Sequence, residues 1–348
     1  TGNISMRNND LKTKSDDDTS WSGDLSDFST SQFTKAGTGW LTLSGSFNDI
    51  ARLLNTGGGR VVFTNDGTWG GLQCNGGTVD ISSGAIVELD SDLTNVFFLN
   101  GSGSATIKGG ATVSLTGTAV DSPPRVVQTG TSQISVTDAG SQLTAPRIAV
   151  GPSVAGVSQF TTSAGATVST SHLQIGDLGD DNGSSGSAII QYDAALTADL
   201  VTLYLRGSLS VYGGKVTTGQ LVVNGSTEVI RLTNGTFGAA LVIGAGGGNS
   251  TIDNVIEDND DGGGSILKQG AGSLTLGGAN TFSGGVTIDA GSVLANNSSG
   301  SATGSGPVQV NSGGTLGGTG SVAGLVTVAA GGEISPGAST GTLDARSD

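Results

Sequence analysis

A nine-residue pattern recurs along this chain and limits the folds that it can adopt. Each copy reads apolar, polar, apolar, two small or polar residues, Gly, one or two free positions and a final apolar residue. Six copies occur, at Val79–Val87, Ala105–Val113, Phe160–Val168, Val286–Leu294, Val308–Leu316 and Val326–Ile334. Looser copies lie at Ile134–Leu143, Ala188–Leu196 and Leu209–Thr217. Copies that follow one another begin 18 to 29 residues apart, a spacing typical of the turns of a repeat protein.

The alternation within each copy predicts a short β-strand with one face turned inward, because successive side chains of a strand point to opposite sides. The Gly predicts a corner, since Gly reaches positive φ without steric cost. Strand, corner and strand describe a coil of parallel strands that buries one column of Val, Ile and Leu. We therefore predict an all-β chain that forms a single right-handed parallel β-helix, with the handedness taken from precedent among such coils. At roughly 22 residues per turn, about 15 turns would extend over some 70 Å.

Glycine content separates this fold from fibrous and disordered chains. The chain has 62 Gly among 348 residues but only 6 Pro, and it has no three-residue Gly period, which excludes collagen. Its hydrophobic fraction of 35% is below the average for globular proteins. Val, Ile and Leu are nevertheless spread evenly along the chain, which indicates a folded protein.

Three parts are predicted along the chain. Residues 1–60 form an N-terminal cap and the first turns, residues 61–263 form central turns with loop insertions, and residues 264–348 form regular C-terminal turns. All three Trp lie in the first fifth of the chain, which marks that end as distinct. At Asn48–Leu54 an N-cap candidate precedes apolar residues at helical spacing, which predicts one or two helical turns.

Segments whose composition departs from the repeat pattern predict loops that project from the coil. Such loops are common sites of recognition. These loops are expected at Asp121–Pro124, Gly151–Gly156, Asp177–Gly186, Glu257–Gly264 and Asn296–Gly306.

The charge balance excludes some partners. With 14 basic and 29 acidic side chains, the net charge of −15 repels phosphate backbones and anionic membrane surfaces, so no nucleic acid is expected as a partner. No apolar run is long enough to span a bilayer, and Thr1–Asp10 lacks a signal-peptide pattern, so we expect no membrane insertion and interpret the chain as a piece of a larger protein. The single cysteine, Cys74, cannot form an internal disulfide and is interpreted as a small residue near an early turn.

No catalytic, cofactor-binding or metal-binding residue is predicted. The one imidazole, His172, follows Ser171 in a strand pattern. Adjacent side chains of a strand face opposite ways, so these two cannot act as base and nucleophile. His172 is therefore interpreted as a solvent-facing residue of one turn.

Acidic residues form three clusters: Asp16–Asp18, Asp177 with Asp180 and Asp181, and Glu257 with Asp258, Asp260 and Asp261. We interpret them as solvated loops that lack a paired Arg or Lys. The ligand spacing of a calcium loop is not met, and whether Asp177–Asp181 or Glu257–Asp261 binds calcium stays open. It also stays open whether any of the scattered arginines stack on one another, among them Arg52, Arg60, Arg125, Arg147, Arg206 and Arg231.

Two segments resemble a repeat of a known family. Ile266–Ala295 contains Leu267, Lys268, Gly270, Gly272, Leu274 and Leu276, followed by a turn with Asn280, Thr281, Phe282 and Gly284 and by a Val-rich strand. This segment closely resembles the passenger-associated transport repeat of Gram-negative autotransporters. Phe33–Phe47 resembles the same repeat through Lys35, Gly37, Gly39, Leu41, Leu43 and Gly45. Passenger-like sequence also occurs at Val136–Leu143, Ile148–Gly151, Leu173–Asp177 and Gly314–Gly337.

The resemblance implies a β-helical passenger that is secreted across the outer membrane of a Gram-negative bacterium and is displayed on the cell surface or released. Its partner in secretion would be a C-terminal translocator, which this sequence lacks. Regular turns from Leu267 to Leu343 would template one another as the chain emerges.

Three functions remain as hypotheses. We prefer an adhesin, which needs no cofactor and binds a host-cell or matrix protein or glycan, or another copy of itself. A passive stalk that presents a distal effector and a polysaccharide-degrading enzyme are the alternatives. An enzyme of this fold would need converging carboxylates and a basic residue, which the sequence does not bring together, so the chain is predicted not to be an enzyme.

Overall fold

The structure is a computed structural model, and it describes residues 3–7, 10–14, 16–22, 28–45, 47–90, 95–116, 125–177, 183–225, 227–235, 238–337 and 343–345. Parallel strands form a β-solenoid, and the described residues contain no helix. The predicted fold class is thereby confirmed, while the handedness stays a prediction. None of the described segments is a helix able to cross a membrane.

The chain divides into two compact units, which are described separately. Unit 1 comprises residues 1–171 and 180–186, and unit 2 comprises residues 172–179 and 187–348. The three-part division expected from the sequence is untested and stays a prediction.

Unit 1 begins with an antiparallel pair of strands, β1 and β2, and continues with parallel pairing from β2 onward. Its strands are β1 (Asn3–Arg7), β2 (Asp10–Lys14), β3 (Thr19–Trp21), β4 (Phe28–Ala36), β5 (Trp40–Leu43), β6 (Phe47–Asn55), β7 (Arg60–Phe63), β8 (Gly67–Trp69), β9 (Leu72–Asn75), β10 (Thr78–Ile81), β11 (Ile86–Asp90), β12 (Asn95–Asn100), β13 (Ser104–Ile107), β14 (Thr112–Thr116), β15 (Arg125–Gln128), β16 (Gln133–Val136), β17 (Gln142–Val150) and β18 (Gly156–Thr162). Strands β19 (Thr167–Ile175) and β20 (Ser184–Gln191) have residues in both units.

Unit 2 continues with short parallel strands. They are β21 (Ala195–Leu203), β22 (Gly207–Tyr212), β23 (Lys215–Val223), β24 (Val229–Thr233), β25 (Leu241–Ile243), β26 (Ser250–Ile252), β27 (Ile256–Asp258), β28 (Ser265–Lys268), β29 (Ser273–Leu276), β30 (Gly285–Ile288), β31 (Gly291–Ala295), β32 (Val308–Val310), β33 (Gly314–Gly318), β34 (Ser321–Val322), β35 (Val326–Val328), β36 (Glu333–Pro336) and β37 (Asp344–Ala345).

The nine-residue pattern forms strand, corner and strand, as predicted. The copy at Val286–Leu294 begins in β30 and ends in β31, and the copy at Val308–Leu316 spans β32 and β33. The sixth-position Gly has positive φ in all six copies, for example 70° at Gly291 and 89° at Gly313. An L-residue with a side chain rarely adopts this backbone conformation, which explains why the corner is Gly.

The inward positions of successive turns lie in register and form the core. Val286 pairs with Val308 and Val308 pairs with Val326, so equivalent apolar residues stack from turn to turn. In unit 1, Trp69 is fully buried and meets the rings of Phe33 and Phe63 edge-on, at centroid distances of 6.5 and 5.4 Å.

Polar side chains at one corner of unit 1 also stack in register. Lys35 pairs with Asn55, Asn55 with Cys74, Cys74 with Leu99 and Leu99 with Gln128. The four polar members are buried, and each donates a hydrogen bond to a backbone carbonyl oxygen near the corner. We call Lys35, Asn55, Cys74 and Gln128 the corner donors. Each buried donor thereby has an acceptor.

Parallel turns continue beyond the smaller sheet. That sheet stacks 11 strands, from β3 to β27, and pairing goes on in the larger sheet through β28, β30, β32 and β35, which fits the expected total of about 15 turns.

Two expectations about the fold were wrong. Asn48–Leu54 lies within strand β6, because the strand pairs with β4 and β9 and Leu53 joins the apolar column opposite Leu72, which outweighs the local helix signal.

The segment Asn296–Gly306 does not project as predicted. Asn297, Ser301 and Thr303 are buried, and the Ser301 hydroxyl donates to the carbonyl oxygen of Gly304 at 2.6 Å. Polar side chains that bond within the segment allow it to fold against the coil. The loop predicted at Asp121–Pro124 lies outside the described residues.

Candidate binding groove

Strands β21 and β23 present an outward face of unit 2. They pair in parallel from Ala195 opposite Lys215 to Leu203 opposite Val223. Because side chains alternate along a strand, Leu196 and Val216 enter the core while Thr197 and Asp199 face outward. The face is lined by short polar side chains.

A first groove lies on this face and has a volume of about 440 Å³. The surface is recessed here because the lining residues Ala198, Gly219, Ala245, Gly246 and Gly248 have small side chains or none. A Cβ atom on Gly219 would lie 2.7 Å from the carbonyl oxygen of Asp199, so a side chain there would collide with the neighbouring strand. Polar groups complete the lining at Thr197, Asp199, Thr217 and Gln220.

A second groove of about 410 Å³ also has Gln220 in its lining. Gln220 Nε2 donates to the carbonyl oxygen of Asn249 at 2.7 Å, which fixes the amide that the two grooves share. The polar groups of the second groove are Gln220, Asn249, Thr251, Asp253 and Asn254. Val222, Val223 and Gly225 form the rest of its lining.

A buried carboxylate lies behind the second groove. Glu228 is 4% exposed, and a Cβ atom on the lining residue Gly225 would lie 2.6 Å from Glu228 Oε1. Asn254 Nδ2 donates to the carbonyl oxygen of Glu228 at 3.2 Å and to Glu228 Oε2 at 3.3 Å. Glu228 Oε1 has no hydrogen-bond partner among the residues that the structure describes. The charged groups that line the two grooves are both carboxylates, Asp199 and Asp253, so the lining itself carries negative charge.

Two lysines are buried at equivalent places in the two repeat-like segments. Lys35 Nζ donates to the carbonyl oxygen of Gly37 at 2.8 Å, and Lys268 Nζ donates to that of Gly270, also at 2.8 Å. Burial lowers the pKa of Lys268, because the charged ammonium loses hydration. Burial also lowers the pKa of Lys35, and the negative charge of Asp16 partly opposes this shift. Both lysines therefore have a structural role at a corner.

The turn after the second lysine contains another buried polar residue. Asn280 Oδ1 accepts a hydrogen bond from the amide of Ile256 at 2.7 Å, and Asn280 Nδ2 donates to the carbonyl oxygen of Ala302 at 2.5 Å. Phe282 is fully buried beside it. The Asn-Thr-aromatic signature thus joins neighbouring turns through one amide and fills the core with one ring.

Sequence comparison assigns residues 33–51 and 266–295 to the passenger-associated-transport-repeat. These segments include both buried lysines, and the second also includes Asn280. The chain therefore contains two repeats of the kind that autotransporter passengers carry. The resemblance seen in the sequence is thereby confirmed.

A named relative points to the same family. The chain is 47% identical over 76 residues to the protein named Adhesin BmaC autotransporter from Brucella suis biovar 1 (strain 1330). The match covers 22% of this chain and 2% of that protein, so the chain spans only a small part of its relative's length. No solved structure matches the chain.

The one histidine of the chain contacts a hydroxyl of a following strand. Ser171 is exposed, whereas His172 is half-buried and its Nε2 lies 2.9 Å from Thr202 Oγ1. The ring is thus partly open to solvent and also lies against its neighbour in the next turn.

Several described acidic residues accept hydrogen bonds from backbone amides. Asp16 Oδ1 accepts a hydrogen bond from the amide of Thr38 at 3.0 Å, and Asp18 Oδ1 accepts one from the amide of Trp40 at 2.9 Å. Asp177 is not a solvated loop residue as predicted but is 1% exposed, and its amide donates to the carbonyl oxygen of Leu205. Asp180 and Asp181 lie outside the described residues.

The acidic segment Glu257–Asp261 differs from its prediction in one respect. Glu257 Oε1 lies 2.8 Å from Arg231 Nε, so the expectation that no Arg pairs with this cluster was wrong. Register explains the pairing, because Arg231 and Glu257 are opposite residues of β24 and β27. Asp258 accepts hydrogen bonds from Gly264 and Ser283, and Asp261 accepts one from the hydroxyl of Tyr212. Among the described residues, no group of three or more His, Cys, Asp or Glu could hold a metal ion.

The cysteine and two of the arginines also have defined positions. Cys74 is buried, its Sγ lies 2.8 Å from the carbonyl oxygen of Gly77, and burial raises the pKa of its thiol. Arg125 and Arg147 are opposite residues of β15 and β17, so two of the scattered arginines stack. Burial lowers the pKa of Arg125, and the positive charge of Arg147 lowers it further.

Sequence reasoning missed both grooves. The signal that could have found them is Gly244–Gly248, where four Gly and one Ala remove side chains from a turn next to strands rich in Thr, Asp and Gln.

Proposed function

We propose that this chain belongs to an adhesive passenger that acts outside the cell, on the surface of a Gram-negative bacterium or after release from it. Its partners would be host cells or extracellular matrix, or another copy of itself. The observation that carries this proposal is the 47% identity to a stretch of a protein named as an autotransporter adhesin.

The surface chemistry supports binding rather than catalysis. The outward face of β21 and β23 carries hydroxyls, amides and carboxylates next to grooves, a combination that suits many weak hydrogen bonds. Repeated weak contacts between two surfaces add up through multivalency, so attachment does not require one tight site. Carboxylate and basic side chains pair on the sheet surface, as in Arg231 with Glu257, instead of lining the grooves together.

Secretion enters the proposal through the transport repeats. We infer that a C-terminal translocator is the partner during export and that turns with a buried Lys corner fold one after another as the chain emerges. This sequential folding is compatible with an adhesive role of the finished surface.

The proposal can be tested with beads that carry the purified chain. Beads are scored for attachment to cultured epithelial cells, for retention on extracellular matrix and for clumping with one another. Beads with an unrelated β-helix of similar charge are the control, and release of reducing ends from polysaccharides is measured in the same preparation.

We expect attachment, retention or clumping at least about tenfold above the control beads, because multivalent display amplifies weak binding. Equal signals from both bead types would reject the adhesive function for this chain and favour a stalk. Production of reducing ends would instead favour a polysaccharide-degrading enzyme.

A further inference from the structure

We propose that the two grooves along β21 and β23 are a binding site for a neutral polysaccharide. The inference rests on the proposed adhesive function and names the chemical class of its partner. Gln220 joins the grooves, whose volumes of about 440 and 410 Å³ each suit a small group of sugar rings.

The polar groups that line the grooves match the hydroxyls of a sugar. Asp199 and Asp253 offer carboxylate oxygens that accept from hydroxyl groups, while Thr197, Thr217 and Thr251 can donate or accept. A sugar ring carries several neighbouring hydroxyls, so it can satisfy such groups on both strands at once.

Charge restricts the class of polysaccharide. The grooves have two carboxylates in their lining and no Lys or Arg among the lining residues, so carboxylated or sulfated polymers would be repelled. An uncharged sugar chain pays no such electrostatic cost. The charge of the lining residues therefore favours neutral over anionic polysaccharides.

The backbone of this face disfavours an extended peptide as the ligand. Peptides that bind to sheets commonly add a strand to an open edge. Strand β23 has no open edge here, because it pairs with β21 on one side and with β25 and β26 on the other. Recognition must then use side chains, which is how hydroxyl-rich ligands are held.

The buried carboxylate of Glu228 gives a second, independent indication of a ligand. Both contacts of Asn254 with Glu228 use Nδ2, so the amide is fixed with its Oδ1 acceptor on the opposite side. Glu228 Oε1 has no partner among the described residues, although a buried carboxylate oxygen without a hydrogen bond is costly. We assign Glu228 as a positioning residue that orients Asn254 in the second groove.

The test uses the whole chain and a panel of immobilised polysaccharides. Dextran, mannan, galactan and starch are the neutral probes, and heparin, hyaluronan and polygalacturonate are the anionic probes. Binding is measured by surface plasmon resonance, with the chain in solution. We expect at least one neutral polymer to be retained and anionic polymers to be retained at least about tenfold less, because of charge repulsion.

A glycine variant blocks the first groove without a change of backbone conformation. Gly246 is exposed, and an added Cβ atom would lie no closer than 3.6 Å to its nearest neighbour, Gly219. Gly246→Gln should therefore fold and reduce neutral-polymer binding at least about tenfold. The matched control is Gly58→Gln, since Gly58 is exposed with no atom within 4 Å of an added Cβ and lies in unit 1.

An acid variant tests the charge argument. Asp199→Asn should weaken neutral-polymer binding and raise the relative retention of anionic polymers, whereas the exposed Asp90→Asn in unit 1 should change neither. For Glu228, the variant Glu228→Gln keeps the side-chain shape, so a loss of binding without a change in thermal unfolding would support a positioning role.

Failure of this inference is distinguishable from failure of the adhesive function. Cell attachment that survives Gly246→Gln, together with no retention on any neutral polymer, would overturn the groove assignment and leave the adhesive function standing. Attachment that is lost in Gly246→Gln but is insensitive to enzymatic removal of cell-surface glycans would identify a protein ligand and overturn the polysaccharide assignment. Preferred retention on anionic polymers would also overturn it.

Discussion

The two transport repeats use the same buried lysine to different extents. In unit 2, Lys268 Nζ donates to the carbonyl oxygens of Gln269 at 2.7 Å, Gly270 at 2.8 Å and Ala290 at 3.2 Å. Ala290 belongs to the following turn, because Lys268 pairs with Ile288. In unit 1, Lys35 Nζ donates within its own turn, to the carbonyl oxygens of Ala36 at 3.4 Å and of Gly37 at 2.8 Å.

The link to the next turn is made in unit 1 by a different residue. Asn55, which pairs with Lys35, donates from Nδ2 to the carbonyl oxygen of Gly59 at 3.0 Å and to that of Thr78, one turn further on, at 3.1 Å. Gln128 repeats this arrangement with the carbonyl oxygens of Ser132 and Gln159. The comparison teaches that the kind of buried donor at this corner changes from turn to turn, and that the same register position also accepts the apolar Leu99.

The largest effect is expected from the glycine that follows the lysine. Gly270 has a φ of 68°, and an added Cβ atom would collide with the carbonyl oxygen of Gly244. Gly270→Ala should destabilise unit 2 by about 3 kcal/mol or more, through backbone strain and overlap together. Hydrogen exchange followed by mass spectrometry on peptides of unit 2 measures the loss.

Gly263→Ala is the matched control for Gly270→Ala. Gly263 has a φ of 74° but no atom within 4 Å of an added Cβ, so its cost should be only about 1 kcal/mol of strain. Equal losses in the two variants would show that close approach of the turns contributes nothing.

Replacement of each lysine should separate the two repeats. Lys268→Met leaves three carbonyl groups without their donor and should cost about 2 kcal/mol, whereas Lys35→Met leaves two and should cost about 1 kcal/mol, since one of its bonds is long. Urea unfolding of the two variants against the natural chain measures both values. A larger loss of stability for Lys35→Met would contradict the interpretation that, of the two lysines, only Lys268 links two turns.

The same lysines predict a dependence of stability on pH. Their folded-state pKa values lie below the ordinary value of 10.5, so at alkaline pH below that value the unfolded chain binds more protons than the folded chain. The free energy of unfolding therefore rises with pH between the lowered pKa and 10.5. Below the lowered pKa, the lysine is charged in both states, and the full cost of burying its charge reduces stability. Hydrogen exchange at the Lys268 corner, compared with Lys268→Met at matched pH, should show this rise in the natural chain and not in the variant.

The smallest effect is expected at Asp16. Asp16→Asn removes the negative charge that opposes the pKa shift of Lys35 but keeps an oxygen that can accept from the amide of Thr38. The pKa of Lys35 should fall further, and stability should change by at most about 1 kcal/mol because the residue is exposed. Titration of Lys35 by NMR measures the shift, and an unchanged titration would remove Asp16 from the comparison.

The repeating part of the fold could be predicted from the sequence, and its corner chemistry only in part. Alternating Val, Ile and Leu with Gly at the sixth position determines strand and corner locally, so the copy at Val308–Leu316 is readable without its neighbours. The corner donors are not readable in this way, because Lys35, Asn55, Cys74 and Gln128 share a register position rather than a residue type. Register depends on the lengths of the intervening loops, which the pattern does not specify.

The grooves were missed for a related reason. Asp199, Gln220 and Asn254 are far apart in the sequence. They line two adjoining grooves only because strands of successive turns stack. The wrong helix at Asn48–Leu54 shows the opposite case, in which a clear local signal yields to pairing with the turns on either side.

The placement of aromatic residues gives the two units separate spectroscopic signals. Trp21, Trp40 and Trp69 all lie in unit 1, whereas Tyr192, Tyr204 and Tyr212 all lie in unit 2. Indole emission therefore reports on the first unit alone, with Trp69 packed between two phenylalanine rings, and the ring-proton NMR signals of the tyrosines report on the second. Without any added label, unfolding can be followed by both signals, and the signal that changes first shows which unit unfolds first.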